Sequence, residues 1–491
     1  MADYKHGTYG EFVESIGGVT AQSGTVPVYV GLAPVNLVRG YAAYVNSPVK
    51  LASFSAARRY MGYSDAWTFF DLCEAFHLHF NNADGNIGPI VAINVLNPDV
   101  HKKAQATTVN LTFANGRATI KSDTIILDTL VLAEKVEGTD FSIDYDFTKG
   151  QVIIDSLGEK ITGTVAATFN EVDPTAVTED DIIGGVTAGG VYTGLGCIDL
   201  IYQELSMIPN LILSPGWSHI PAVYEAMIVA GSKINGHWDA FVYADIPLVE
   251  SDGATKVDTI EAAIAWKADN GYDNERSKVF WPMGKDTSGR LFHGALLAAW
   301  RTQLVDDSHA GIPMETPSNK TAPVAAQFFG IGSTNRGFDQ LRANELNANG
   351  ITTICYWGGR WVLWGPHTAA YEYGNITDNR NIFDNSIRMM MHVSNSFQQE
   401  HALNIDGPMT RAMKDTIKNR EQEKMDALAS MGAFIGTPVV EFLEEDNSTS
   451  DLVEGNFVWN FKGTPTPPFK SGTLKVAYTT AGFDSYFGEV E

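Results

Sequence analysis

Two histidines two positions apart, His77 and His79 in Phe76-His-Leu-His-Phe80, have the type and spacing that suit metal binding. On a strand, positions i and i+2 share a face and both imidazoles could meet one ion, whereas on a helix they diverge. No neighbouring set of carboxylates and cysteines completes a tetrahedral or facial site, so the pair reads as structural. Asp306-Asp307-Ser308-His309 places acid, nucleophile and base types in a row. Side chains adjacent in sequence seldom converge as a triad, and the segment reads as a polar loop. Asp144 and Asp146 flank Tyr145 and share one face of a strand, which suits calcium binding or proton exchange and is explained more simply by solvent exposure. Gly194-Leu-Gly196 is a fragment without the rest of a dinucleotide fingerprint, and no G-x-x-x-x-G-K-[ST] occurs. Cys73, Cys197 and Cys355 lie far apart and include no C-x-x-C pair, which signals neither a disulfide framework nor a zinc cluster and fits a reducing compartment. Trp357, Trp361 and Trp364 read as core or subunit contacts. The expectation is a chain with no catalytic, cofactor-binding or metal-binding residues.

The bulk properties are those of a globular chain rather than a disordered or fibrous one. A chain of 491 residues, 44% hydrophobic and 19% charged, has the length of roughly three globular domains. Its 34 basic and 58 acidic residues give a formal charge of −24. Phosphate backbones are gripped by Lys and Arg, so a general nucleic-acid partner is not expected. Met1 to Gly18 contains no apolar stretch of signal-peptide type, and no run approaches the roughly 18 apolar residues of a membrane span. A protein made and kept in the cytosol, without membrane insertion, is the expectation.

Helical and strand patterns alternate along most of the chain. Phe54 to Phe80 carries apolar and aromatic residues at helical spacing, and Ile90 to Leu96 is a short apolar strand. The texture then changes. Val109, Leu111 and Phe113 alternate before an Asn115-Gly116 hairpin turn, Phe141 to Phe147 alternates again, and Val152 to Ile154 follows a Lys149-Gly150 turn. Helix and strand patterns return at Ile198 to Leu205, Leu211 to Leu213, Ala222 to Lys233 and Ala240 to Ala244. They continue through Thr259 to Lys267, Val279 to Trp281, Leu291 to Leu304 and Phe338 to Leu346, then the strands Ile351 to Trp357 and Arg360 to Trp364. Two long helical patterns follow, Asn385 to Leu403 and Pro408 to Met431. The second has Asp406 as candidate N-cap and Pro408 in its first turn, and Gly432 and Gly436 stop it. The expected fold is a multi-domain α/β (α+β) chain, a helix-covered sheet core with an inserted all-β module and extended terminal arms. The boundaries expected are an arm over 1–22, core over 23–100 and 185–370, β module over 105–175, a C-terminal helical part of the core over 371–464, and linker plus arm over 465–491.

Both ends read as strands without an evident partner, Glu11 to Val30 and Gly472 to Thr480. In the tail, Leu474, Val476 and Tyr478 alternate with Thr473, Lys475 and Ala477, and Pro465, Pro467 and Pro468 hold the approach extended. Such strands either edge the chain's own sheet or pair with another molecule, since open edges are templates for pairing.

The combination resembles the contractile tail sheath proteins of bacteriophages and of phage-derived particles such as R-type bacteriocins. The residues that carry it are Val28-Tyr-Val-Gly-Leu-Ala-Pro34, Gly138-Thr-Asp-Phe-Ser-Ile-Asp-Tyr145 and Leu211-Ile-Leu-Ser-Pro-Gly-Trp217. In the same order come Leu346-Asn-Ala-Asn-Gly-Ile-Thr-Thr-Ile354, Gly359-Arg-Trp-Val-Leu-Trp-Gly-Pro-His-Thr368 and Asn379-Arg-Asn-Ile-Phe-Asp-Asn-Ser-Ile387. The resemblance implies a homo-oligomer, stacked as rings or helical strands around an inner tail tube protein, with baseplate and tail terminator proteins as further partners. It would assemble in the bacterial host cytoplasm, become part of a virion tail or released phage-tail-like particle, and contract to drive the tube through a cell envelope without nucleotide. The terminal arms would add strands to neighbouring subunits: an N-terminal arm near 8–20 carrying Phe12, Val13 and Ile16, and a C-terminal arm near 472–480 carrying Leu474, Val476 and Tyr478.

On the Pro408 to Met431 pattern, Arg411, Lys414 and Lys418 fall at i, i+3 and i+7, beside an apolar stripe of Met413, Ile417 and Leu428. By analogy with the family's tube-facing helix, this basic stripe faces an acidic tube, or else it is a solvated face with i, i+4 partners. Two other functions stay open from the residues alone. One is an α/β hydrolase or transferase, which lacks a constellation, and the other is a surface-binding module using the β insertion.

Overall fold

The computed structural model describes residues 24–376 and 378–487. Its centre is an eight-stranded sheet ordered Arg360–Trp364, Ile351–Trp357, Ser277–Phe280, Phe241–Asp245, Leu211–Leu213, Pro27–Gly31, Ile90–Asn94 and Pro48–Leu51. The six inner strands are mutually parallel and the two edge strands antiparallel. Parallel strands are covered on both faces, which explains why Pro27–Gly31, Leu211–Leu213 and Phe241–Asp245 are buried along their whole length rather than on alternate residues.

Pro27–Gly31 corrects the reading of Glu11 to Val30 as strands without a partner. It lies between Leu211–Leu213 and Ile90–Asn94, paired at Val28 with Ile212 and Val91. The remainder of that stretch, with Phe12, Val13 and Ile16, lies outside the described residues.

Side-chain direction assigns helices to the two faces. Tyr243 points at the helix Gly294–Ser308, where its hydroxyl meets Thr302 Oγ1 at 3.0 Å. Ser277 is in register with Val242, so it points the other way and bonds Tyr224 of the helix Pro221–Ala230 at 2.6 Å. Lys278, in register with Tyr243, shares that residue's face and reaches the helix Asp384–His401.

The β module forms two three-stranded sheets. Thr107–Phe113 pairs with Gly163–Phe169, which also pairs with Val131–Leu132, while Arg117–Lys121 pairs with Gln151–Ser156, which also pairs with Phe141–Asp146. Asn115 and Gly116 do form a two-residue turn, with φ of 51° and 73° and reciprocal bonds between Ala114 and Arg117. The strands on either side of it then part into different sheets, so the expected hairpin stops at its turn. Lys149-Gly150 joins a true hairpin. Leu111, Phe113, Phe141, Val152, Ile154 and Phe169 fill this module's own core.

The region after residue 371 differs from the expected helical part. The helices Asp384–His401 and Arg411–Ser430 are followed by an antiparallel pair, Phe434–Glu441 with Asn460–Pro465. Met389, Val393, Met425, Leu428, Phe434 and Val440 build a separate small core between helices and hairpin.

Candidate assembly interface

The hairpin forms against the second long helix. Phe434 and Val440 face inward, Phe434 meeting Phe461 with ring centroids 5.4 Å apart. Gln422 of the helix accepts from Val440 N at 2.8 Å and donates to Pro438 O at 2.9 Å, which occupies the outer edge of Phe434–Glu441. The outer edge of Asn460–Pro465 pairs with no other strand among the described residues. Pro465 is the last residue of that strand, paired with Phe434.

Beyond the linker, residues 472–479 have no regular secondary structure and every one is exposed. Leu474, Val476 and Tyr478 expose 85%, 84% and 83% of their surface, so the apolar side of the alternation is bare. A folded chain buries such residues when it can, at roughly 1.5–3 kcal/mol each. A 3₁₀ turn, Ala481–Phe487, follows.

The second long helix starts later than its sequence suggests. Thr410, not Asp406, is the N-cap, its hydroxyl accepting from Met413 N at 3.1 Å, and Pro408 lies outside the helix. Asp406 instead takes a φ of 63° in the preceding turn. Ile417, Met425 and Leu428 are buried, while Met413 is half-buried. Arg411 is exposed. Lys414 and Lys418 are half-buried at the edge of the apolar stripe, Lys414 bonded to Asp415 and 5.3 Å from the centroid of Phe442.

No protein-family model matches the chain. It is similar to the tail sheath protein of Burkholderia phage BcepMu, 26% identical over 506 residues covering 98% of each chain. It is also similar to a putative prophage major tail sheath protein of Pseudomonas aeruginosa, 26% identical over 68% of this chain and 78% of that protein. The fold matches a sheath subunit of the PVC extracellular contractile injection system in its contracted state with a TM-score of 0.55 and 10% identity, over 98% of this chain and 100% of the other. Along nearly its whole length the chain is similar to contractile tail sheath proteins. It is a structural subunit of an oligomeric sheath in a phage tail or phage-tail-like particle, and neither the enzyme nor the surface-binding alternative is favoured. No helix among the described residues is long and apolar enough to cross a membrane.

The residue types that suit chemistry have structural partners in this sheath protein. His77 and His79 sit on the helix Leu72–Phe80 and diverge, as a helix requires: His79 Nε2 meets Tyr29 Oη at 2.6 Å, and His77 Nε2 meets Arg290 Nη1 at 3.2 Å. Burial pulls each imidazolium down to a pKa of about 4. No group of three or more His, Cys, Asp or Glu among the described residues is placed to hold a metal ion. Asp306-Asp307-Ser308-His309 is not a loop but the last turn and C-cap of the helix Gly294–Ser308; Ser308 Oγ lies 3.2 Å from His309 Nδ1, but neither aspartate carboxylate meets that imidazole, so no acid–base–nucleophile triad is completed by the four. Asp306 is buried against Arg388, and Ser308 Oγ donates to Val305 O at 2.6 Å. Asp144 is exposed, and Asp146 caps its hairpin turn by accepting from Thr148 N at 3.0 Å. Trp357 is exposed and Trp361 and Trp364 are half-buried at the sheet edge, Trp364 donating to Asn344 Oδ1 at 2.9 Å.

Two buried ion pairs went unread in the sequence because their members lie far apart along the chain. Lys278 Nζ meets Asp384 Oδ2 at 2.5 Å with neither side chain exposed, and Thr316 Oγ1 donates to the same oxygen at 3.1 Å. One turn on, Arg388 is ion-paired with Asp306 and also donates to Thr25 Oγ1 at 3.2 Å, while Gln303 Nε2 donates to Thr25 O at 3.0 Å. The first turn of Asp384–His401 is thus bolted into the sheet domain, and the start of the described chain is bolted to the same point. Exchanging such pairs for apolar residues is often neutral in stability, so what they provide is better described as a fixed geometry.

A third buried group sits at the carboxyl ends of the central strands. Asp71 accepts from Leu32 N and Trp217 Nε1, both at 2.8 Å. Glu74 accepts from His293 N at 2.6 Å and contacts His293 Nδ1 at 2.8 Å, and Asp245 accepts from Ala295 N at 2.9 Å. Burial raises the Asp71 and Asp245 carboxyls to about 7 and about 6. Burial opposes charge on His293, but Glu74, with Asp245 and Asp71, outweighs it and raises the imidazolium to about 9.

Proposed function

We propose that this sheath protein polymerises around an inner tail tube and stays joined to its neighbours through its termini while the sheath shortens, driving the tube through a cell envelope. The observation that carries the reading is the pairing of a bare strand pattern with an open edge. Leu474, Val476 and Tyr478 stand exposed on a tail without secondary structure, and among the described residues the Asn460–Pro465 strand pairs only with Phe434–Glu441. A tail from one copy added to that edge in another would gain backbone hydrogen bonds and bury one face of its alternation. The N-terminal segment with Phe12, Val13 and Ile16 would act likewise as a second tether.

Arg411, Lys414 and Lys418 are the groups that would face the tube in the extended state. Baseplate and tail terminator proteins would bound the sheath, and assembly would take place in the host cytoplasm. Contraction then needs no bound nucleotide, because a lattice of many coupled subunits responds when one arrangement is favoured by even a few kcal/mol per subunit.

Electron microscopy of the purified protein tests this. Full-length chain should form hollow striated cylinders, and chain ending at Ser471 should remain as discrete particles. Intact cylinders from the shortened chain would remove the tether.

A further inference from the structure

We propose that Pro467–Ser471 is a releasable strap that holds slack for the C-terminal arm. The inference rests on the tether reading above and goes beyond it by locating the hinge and naming what restrains it. The linker is fixed on one side by Thr466, whose N donates to Ala433 O at 3.0 Å and whose Oγ1 donates to Gly432 O at 2.6 Å, while Asn385 Nδ2 donates to Thr466 O at 3.1 Å. Two prolines, Pro467 and Pro468, then restrict the backbone. They carry the chain to Lys470, whose ammonium lies 5.4 Å from the centroid of Tyr371.

Tyr371 is the outer member of a stack. Its ring lies 3.6 Å from that of His367 at an interplanar angle of 3°, and His367 lies 5.2 Å from Phe383 at 18°. Burial, with Lys470 nearby, pulls the His367 imidazolium down to about 3, so the stack is neutral and offers Lys470 a π-face without an opposing charge. The strap also lines a groove of about 420 Å³ with Asn344, Trp364, Pro366 and Tyr373.

Among the described residues after Lys470, hydrogen bonds and ring contacts are local to the tail itself. Residues 471–480 are all exposed, and a Cβ on Gly472 would come 2.5 Å from Phe469 Cζ, so the backbone passes close to that ring where a side chain would not fit. The hinge therefore lies at Ser471 and Gly472, not in the proline run. Releasing the five residues of the strap would lengthen the free arm by up to about 17 Å. A tether that must span two arrangements of neighbouring subunits needs such a reserve, and a single exposed cation on a π-face is weak enough to supply it.

Trypsin reads the strap directly, because Lys470 lies in it and Lys475 lies beyond it. In the full-length monomer, Tyr371→Leu should raise cleavage after Lys470 relative to Lys475 about fivefold without altering the cleaved sequence. An unchanged ratio in a folded variant overturns the strap. Lys470→Ala, at an exposed position, supplies the second measurement: assembled sheaths should contract at lower urea than wild type, with Lys470→Arg restoring the wild-type threshold. Equal thresholds for Lys470→Ala and wild type overturn the release step. Cylinder formation by chain ending at Ser471 would instead overturn the tether, independently of the cleavage ratio.

Discussion

Replacing Arg388 with methionine separates a fixed geometry from ordinary packing. Arg388 retains 3% and Asp306 0% of its side-chain exposure, so the variant leaves a fully buried carboxylate with Thr25 as its remaining side-chain partner. Removing one member of a buried pair costs about 3–5 kcal/mol, whereas the double change Arg388→Met with Asp306→Leu is expected within about 2 kcal/mol of wild type. The double variant should therefore be at least about 1 kcal/mol more stable than the single. Global melting is a poor reporter here, because the chain contains several cores and need not unfold in one step. Amide exchange in Asp384–His401 reports the opening of the helix that Arg388 anchors. The single variant should raise its opening by roughly two to three and a half orders of magnitude, and the double variant should recover most of that loss. A single variant within tenfold of wild type, or a double variant as damaged as the single, would refute the claim that this pair bolts the helix to the sheet.

The remaining expectations concern surfaces and pH. Aspartates at Leu474, Val476 and Tyr478 should change monomer stability by less than about 0.5 kcal/mol, because these side chains are exposed, yet abolish cylinders seen by electron microscopy. Normal cylinders would show that the alternation is not a binding face. Charge reversal at Arg411, Lys414 and Lys418 should eliminate extended particles and leave tube-free contracted sheath. It should also cost the monomer about 0.5–1 kcal/mol from the lost Lys414 contact with Phe442, and unchanged extended assembly would remove the tube-facing role. For pH, His293 supports the fold fully below 6.5 and loses that support as pH rises through about 9. Asp71 and Asp245, at about 7 and about 6 against 3.8 unfolded, also hold protons the unfolded chain releases. All three make the folded chain bind more protons, so stability should fall by a few kcal/mol between pH 5 and pH 9, less whatever solvent screens at the partly exposed His293. His293→Gln should flatten the upper half of that decline in urea titrations, and an unaltered slope would contradict the assignment.

The sheet domain was legible because its signals are local. Leu211–Leu213, Ile351–Trp357 and Arg360–Trp364 begin and end where the apolar runs do. The C-terminal hairpin was not, for physical reasons visible in its residues. Gly436 and Pro438 interrupt the alternation, the register shifts between Ile435 and Val439, and eighteen residues separate the strands, so neither a period of two nor a short turn marks the pair. Asp306 read as part of a polar loop because its charge is paired 82 positions away, a distance at which sequence pattern carries no information. The tail differs from its sequence reading: Gly472 to Thr480 carries a strand alternation but forms no strand, since no strand among the described residues pairs with it, and Leu474, Val476 and Tyr478 stay exposed.

Cryo-electron microscopy of cylinders assembled from the full-length protein tests the central claim most directly. The account predicts that residues 474–478 of each subunit run as a strand along the Asn460–Pro465 edge of another subunit. A tail folded back onto its own molecule, with that edge empty, would contradict it.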